Sequence, residues 1–111
     1  MRMIIAFVQP FMGPQLVTAL HQIPGLSGAT FTDTHGFGRG RPGDTAMSEV
    51  LYGTAAKLRV EIAVRDDMED VVVRAIRDAV HTGNRGDGKV YVLPLDRAVR
   101  VATGEEGENA V

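Results

Sequence analysis

The stretch from Lys57 to Leu93 constrains the fold more than any other part of the chain. Met68, Val71, Val72, Ala75, Ile76, Ala79 and Val80 fall at i, i+3, i+4, i+7, i+8, i+11 and i+12, the spacing of an apolar stripe along one side of an α-helix. Before them, Leu58, Val60, Ile62 and Val64 alternate with Lys57, Arg59 and Glu61, as in a strand with one buried face. After them, Val90–Leu93 is a short apolar run closed by Pro94, which has no N–H to continue a ladder. The unit is strand, helix, strand. Asp66 or Asp67 is placed to cap the helix. Glu69 and Asp70 sit near its positive start and His81 near its negative end. Asp70–Arg74 and Arg74–Asp78 are i,i+4 pairs on the outer face. Gly83 is predicted as the left-handed residue that ends it.

The first part of the chain repeats this order. Met3–Val8 is a continuous apolar run ending at Gln9-Pro10, the pattern of a strand covered on both faces. Pro14 suits the first turn of a helix, and Leu16, Leu20 and Ile23 give it a narrow apolar stripe stopped by Pro24-Gly25. His21 reads as a solvated surface histidine on that helix. Gly28–His35 alternates Ala29, Phe31 and Asp33 with Thr30, Thr32 and Thr34, a β-branched, period-two strand pattern. Two βαβ halves predict a single α+β domain over 1–111, a ferredoxin-like βαββαβ sheet with both helices on one face. The other face is left bare although Met3–Val8 is apolar on both sides, so a further copy of the chain is expected to cover it.

Two stretches do not fit regular elements. Gly36–Ala56 contains Gly36, Gly38, Gly40, Gly43 and Gly53 with Arg39, Arg41 and Pro42. A loop this long in a compact domain is expected to be functional or disordered. Met47, Val50, Leu51 and Tyr52 give it an apolar middle suited to ordering on a partner. Thr82–Lys89 reads Thr-Gly-Asn-Arg-Gly-Asp-Gly-Lys. Its glycines allow sharp turns and close backbone approach, so successive N–H groups and the Lys89 ammonium can face an anion, a phosphate above all. The same residues also suit a plain helix-to-strand connection with an Asp-Gly turn. Asp96–Val101 reads as a turn and short strand, and Thr103–Val111 as a loose tail.

Composition narrows the function. Net charge is −2 and aromatics are 5% of 111 residues, with no tryptophan, which removes the electrostatic and stacking basis for nucleic-acid binding. No apolar stretch approaches the roughly 20 residues of a membrane helix, and Met3–Val8 is too short for a secretory leader. Cysteine is absent, so disulfides and thiolate metal sites are excluded. The expected compartment is the cytoplasm. Scattered histidines and the lack of a thiol give no basis for an enzyme.

Gly-Phe-Gly-Arg at 36–39, Thr-Gly-x-x-Gly-Asp-Gly-Lys at 82–89 and Ala-Val-Arg-x-x-Thr-Gly-Glu at 98–105 resemble motifs of the PII signal-transduction family. Gln9-Pro10-Phe11 is similar to that family's Lys-Pro-Phe, and Lys57–Val64 to one of its strands. The resemblance covers nearly the whole chain outside the middle of Gly36–Ala56. It implies a ferredoxin-like homotrimer with ATP or ADP in clefts between subunits, and a long T-loop, here Gly36–Ala56, between the second and third strands. That loop would engage a membrane transporter or a regulated enzyme. By resemblance, nucleotide contacts fall on Thr30, Gly36, Phe37, Gly38, Arg39, Ala63, Gly86, Asp87, Gly88, Lys89 and Arg100. Lys89, Arg39 and Arg100 face phosphates, while Thr30 and the Ala63 backbone lie on the adenine side. Lys57 matches the lysine that pairs with a carboxylate effector. ATP, ADP, AMP and a cyclic nucleotide all stay open.

Three departures from the family pattern matter. Arg100-Val101-Ala102 stands where the family has Arg-x-Arg, so one phosphate-facing arginine is missing. Gly40 stands where a glutamine helps hold the magnesium that bridges ATP and 2-oxoglutarate. Magnesium demands near-octahedral oxygen ligation, so weak 2-oxoglutarate binding is expected. The T-loop lacks a clear counterpart of the family's modified-tyrosine segment, and Tyr52 reads as an ordinary loop aromatic. The Gly-Phe-Gly-Arg-Gly-Arg start is similar to a PII branch found beside metal-efflux transporters. A metal-binding module of such a system is therefore the alternative function. Asp33 and His35 could share a strand face, but two ligands do not close a site.

Overall fold

The computed structural model describes residues 1–38 and 54–111. Six principal elements follow in order: β1 (Arg2–Val8), α1 (Gly13–His21), β2 (Thr30–Gly36), β3 (Ala55–Val64), α2 (Glu69–Val80) and β4 (Gly88–Pro94). The strands form one antiparallel sheet in the order β2-β3-β1-β4. This is the predicted ferredoxin-like α+β arrangement, with β1 central because it alone is apolar along both faces.

The register explains the core. Ile4, Ala6 and Val8 lie opposite Ile62, Val60 and Leu58, so these residues share one face of the sheet. Leu16 and Leu20 of α1 and Val72, Ile76 and Val80 of α2 close over that face, and Ile4, Ala6, Leu16, Val60, Val72 and Ile76 are fully buried. Fully burying one such aliphatic side chain contributes about 1.5–3 kcal/mol, which makes this single layer the main source of stability.

Several local expectations are corrected. Val71 belongs to the predicted stripe of α2, yet it is 48% exposed, while Val73 packs against the core from the flank. The sequence stripe is wider than the contact that α1 and the sheet offer. Neither Asp66 nor Asp67 caps α2. A 3-10 turn at Asp66–Met68 leads into the helix; Asp66 pairs with the Met1 amino group at 2.9 Å and Asp67 with Arg65 at 3.3 Å. The Asp70–Arg74 pair forms at 3.9 Å, whereas Asp78 is taken by Arg77 at 3.4 Å. In the first half, α1 ends at His21. Pro24 disfavours a helical conformation at the residue before it, so Ile23 packs on the core from the following turn.

The C-terminal segment is also better tied than a loose tail. Leu95 N–H donates to the Met1 carbonyl at 3.0 Å, Arg100 N–H to Glu105 at 2.8 Å and Gly107 N–H to Ala98 at 3.0 Å. Arg97 holds Glu106 at 2.6 Å. In place of a strand at Asp96–Val101 there is one bridge, Val99 to Glu106.

The second sheet face carries Met3, Ile5 and Phe7 of β1 beside Leu93, Tyr91 and Lys89 of β4 and Ala63, Glu61 and Arg59 of β3. No helix of the described residues covers it. Tyr91 is 48% and Leu93 43% exposed. Phe7 meets Tyr91 edge-on at 6.3 Å between ring centres, and Arg59, paired with Glu61 at 2.6 Å, lies 5.6 Å over the Phe7 ring.

Candidate functional site

The Thr82–Lys89 loop joins α2 to β4 at the end of the sheet where β1 finishes. Asp87 organises it. Its carboxylate accepts the Thr82 N–H at 2.6 Å, the Gly83 N–H at 2.9 Å and the Thr82 hydroxyl. Asn84 N–H donates to Thr82 Oγ1 at 3.3 Å, and Asp87 N–H to the Asn84 carbonyl at 3.3 Å. Gly83 has a positive φ of 87° but does not cap α2 as predicted. The helix ends at Val80 with His81 extended, because the Asp87 carboxylate draws the next two N–H groups into the loop. Four N–H groups that could have faced an external anion are thus engaged internally, two of them by the Asp87 carboxylate.

These hydrogen bonds have a pH consequence. The Thr82 hydroxyl, then the Thr82 and Gly83 N–H groups, hold the Asp87 carboxyl below the usual carboxylate range, and His81, 3.7 Å away, adds a weaker Coulombic pull. A carboxylate with a lowered folded-state pKa contributes stability above its unfolded value of about 3.9, and that stability fades as pH falls through the lower folded value. The loop is expected to keep its order from neutral pH down to about 4 and to loosen below. Asp87→Asn should speed amide exchange at Thr82 and Gly83 near neutral pH and remove the acid transition. Hydrogen exchange followed by NMR across that range checks both.

The loop is fastened to the sheet at Gly86 and Gly88. The Gly86 carbonyl accepts the Gln9 Nε2–H at 2.6 Å and the Lys57 ammonium at 3.4 Å. Gly88 pairs with Val8 and has a φ of 121°; a Cβ there would fall on the Phe7 carbonyl oxygen. Lys89 pairs with Phe7, so it shares the uncovered face with Tyr91 two residues on. It is exposed and has no ion pair among the described residues. Gly36, at the end of β2, lies against the Lys57 side chain. Gly36, Lys57, Gln9, Gly86 and Lys89 therefore gather at one end of the sheet, with Phe37, 75% exposed, and Gly38 just beyond. Arg39, Gly40 and Tyr52 lie outside the described residues.

The remaining candidates stand apart from that group. Thr30 pairs with Glu61 on the edge strand β2, three strand spacings from β4, on the order of 14 Å. Ala63, two residues along β3 from Glu61, lines a shallow cleft with Gly25–Ser27, Met68 and Asn109. Arg100 donates to the Asn109 carbonyl at 3.1 Å, in the segment that begins where Leu95 meets Met1, at the far end of β1 from the loop. The candidate residues thus fall into two separate groups rather than one pocket. Gln9 and Thr82 hold the loop in shape, and the sequence does not single out either as a contact. Gln9 was visible only as the neutral counterpart of a lysine in the family resemblance, and Thr82 only as the first letter of a motif.

Asp33 and His35 lie opposite Leu58 and Ala56 on β2. Among the described residues, no group of three or more His, Asp or Glu side chains is placed to hold a metal ion. Also among the described residues, no helix is long and apolar enough to cross a membrane.

Comparison with known proteins places this geometry. The family model for nitrogen regulatory protein P-II matches residues 1–105. The chain is 36% identical over 114 residues to nitrogen regulatory protein P-II of Azospirillum brasilense and 37% to that of Haemophilus influenzae, with the whole of each chain covered. The crystal structure of Arabidopsis thaliana PII bound to citrate superposes with a TM-score of 0.81 at 35% identity, covering 99% of this chain and 91% of that one. The sheet order, the anchored glycine loop and these full-length matches agree: the chain belongs to the nitrogen regulatory protein P-II family of signal-transduction proteins.

Proposed function

We propose that this chain is an adenine-nucleotide sensor that forms a homotrimer and reports nucleotide occupancy through Gly36–Ala56 to a membrane transporter or an enzyme. One observation carries the reading. The loop with Lys89 and the group with Thr30, Ala63 and Arg100 stand at opposite ends of the sheet in one chain and share no pocket, which supports a nucleotide site completed by a second copy. The uncovered apolar face around Ile5, Phe7 and Tyr91 supplies the contact surface for that assembly. In this reading Gly86, Gly88 and Lys89 hold phosphates, Arg100 of a neighbouring copy adds a cation, and Thr30 and the Ala63 backbone meet the base. Lys57 stands beside Gly36, where the T-loop begins, and links phosphate occupancy to that loop. Its ammonium is already on the Gly86 carbonyl. That, with a glycine at position 40, favours a nucleotide-led signal over one led by 2-oxoglutarate.

Calorimetry with ATP and ADP, run alongside light scattering, tests this. Wild type should bind at least one of the two and scatter as a trimer. Lys89→Ala should keep the fold and lose roughly ten- to hundredfold in affinity, since a hydrogen bond to a charged group is worth about 1.5–3 kcal/mol. A monomer at micromolar concentration, or equal affinity in wild type and variant, would refute the reading.

A further inference from the structure

We propose that Gln9 is a positioning residue for the Thr82–Lys89 loop, one that fixes which of the loop's N–H groups an incoming phosphate meets. The inference rests on the phosphate-cradle reading above for its ligand, but its structural content stands on the unliganded chain.

Gln9 is held rigidly before it reaches the loop. It follows the last residue of β1 and precedes Pro10, and its φ of −66° and ψ of 134° are those that a following proline favours. Its own carbonyl accepts the Met12 N–H at 3.0 Å. From this fixed base the side-chain amide reaches a residue 77 positions along the chain, donating to Gly86 at 2.6 Å. A side chain at position 86 would displace this amide, since a Cβ there would lie 2.6 Å from Gln9 Nε2. The amide and the glycine are complementary, and each explains the other.

The consequence lies in the peptide between Gly86 and Asp87. In a trans peptide the C=O and the next N–H point in opposite directions. With the Gly86 carbonyl turned to Gln9, the Asp87 N–H must turn away, and it donates to Asn84 at 3.3 Å. The peptide is clamped at both ends. Thr82, Gly83 and Asn84 N–H groups are already donated inside the loop. The set left for an anion therefore includes the N–H groups of Arg85 and Gly86, in the loop that leads into Lys89. Lys57 also reaches this carbonyl, but at 3.4 Å against 2.6 Å for Gln9 it is the more distant donor. A neutral amide does this work without adding a charge that would itself draw the anion.

The test compares wild type with Gln9→Leu and Gln9→Lys in the full chain. Amide hydrogen exchange at Asp87 and Gly86 is read without nucleotide, and ATP affinity is read by calorimetry at low and high salt. Gln9→Leu should raise Asp87 exchange severalfold and, where wild type binds ATP, weaken binding about two- to tenfold, the effect of one neutral hydrogen bond. Gln9→Lys restores a donor and should return the exchange rate toward wild type, a rescue that a simple packing role would not give. Unchanged Asp87 exchange in Gln9→Leu, or no rescue by lysine, overturns the proposal. Should Gln9→Leu fail to fold, Gln9→Glu serves instead, because a carboxylate facing the Gly86 carbonyl must also free the loop. Absence of both ATP and ADP binding by wild type would fell the nucleotide reading alone, since the exchange comparison decides the role of Gln9 by itself.

Discussion

Gly88→Ala should cost roughly 2–6 kcal/mol, combining about 1–3 for a strained backbone with about 1–3 for over-packing. The positive φ of 121° disfavours any L side chain, and the added methyl would meet the Phe7 carbonyl oxygen, part of the β1 backbone opposite Gly88 and Lys89. A flexible side chain could move aside; a strand carbonyl inside the central ladder cannot. A domain of this size has about 5–15 kcal/mol of total stability, so the variant should unfold at a much lower denaturant midpoint or lose the β1–β4 pairing near the loop. Gly83→Ala is the informative control. Its φ is also positive, at 87°, but a Cβ there meets nothing within 4 Å, so only about 1–2 kcal/mol of backbone strain is expected. Equal denaturation midpoints for the two variants would show that Gly88 is not held against β1 as described.

Ile76→Ala is the second large effect. Ile76 is fully buried between α1 and the sheet, and deleting such a side chain costs about 2–5 kcal/mol through lost transfer energy and the cavity left behind. At about 4–8 °C per kcal/mol for a domain near this size, the melting temperature should fall by roughly 8–40 °C. Val71→Ala removes a residue from the same sequence stripe, but Val71 is 48% exposed, and a change there should stay within about 0.5 kcal/mol. Paired melting curves check the contrast. A large loss at Val71 would mean that this side of α2 is covered in the assembled protein, and a small loss at Ile76 would contradict the described core.

Sequence alone determined the elements and their order. The period of two in Lys57–Val64, the helical spacing in Met68–Val80 and the doubly apolar Met3–Val8 are local signals, set by backbone geometry within a few residues, and they led to the four-stranded sheet with helices on one face. The glycine loop was legible as a candidate anion site for the same reason. The tertiary structure decided everything that depends on which distant segment comes into reach. It chose Val72, Ile76 and Val80 over Val71 for the buried core, with Met68 and Ala79 packed at its margin, because Val71 lies on the side of the helix turned away from the sheet and α1. It took Asp66 away from the helix start, because the Met1 amino group lies beside it. It turned Asp87 inward onto Thr82 and Gly83, so that the loop binds its own carboxylate with N–H groups that the sequence offered to a ligand. Above all it laid Gln9 on Gly86 across 77 residues and set Thr30, Ala63 and Arg100 away from Lys89. No periodicity carries such pairings, because a hydrogen bond between two strand ends depends on the register of the whole sheet rather than on either sequence.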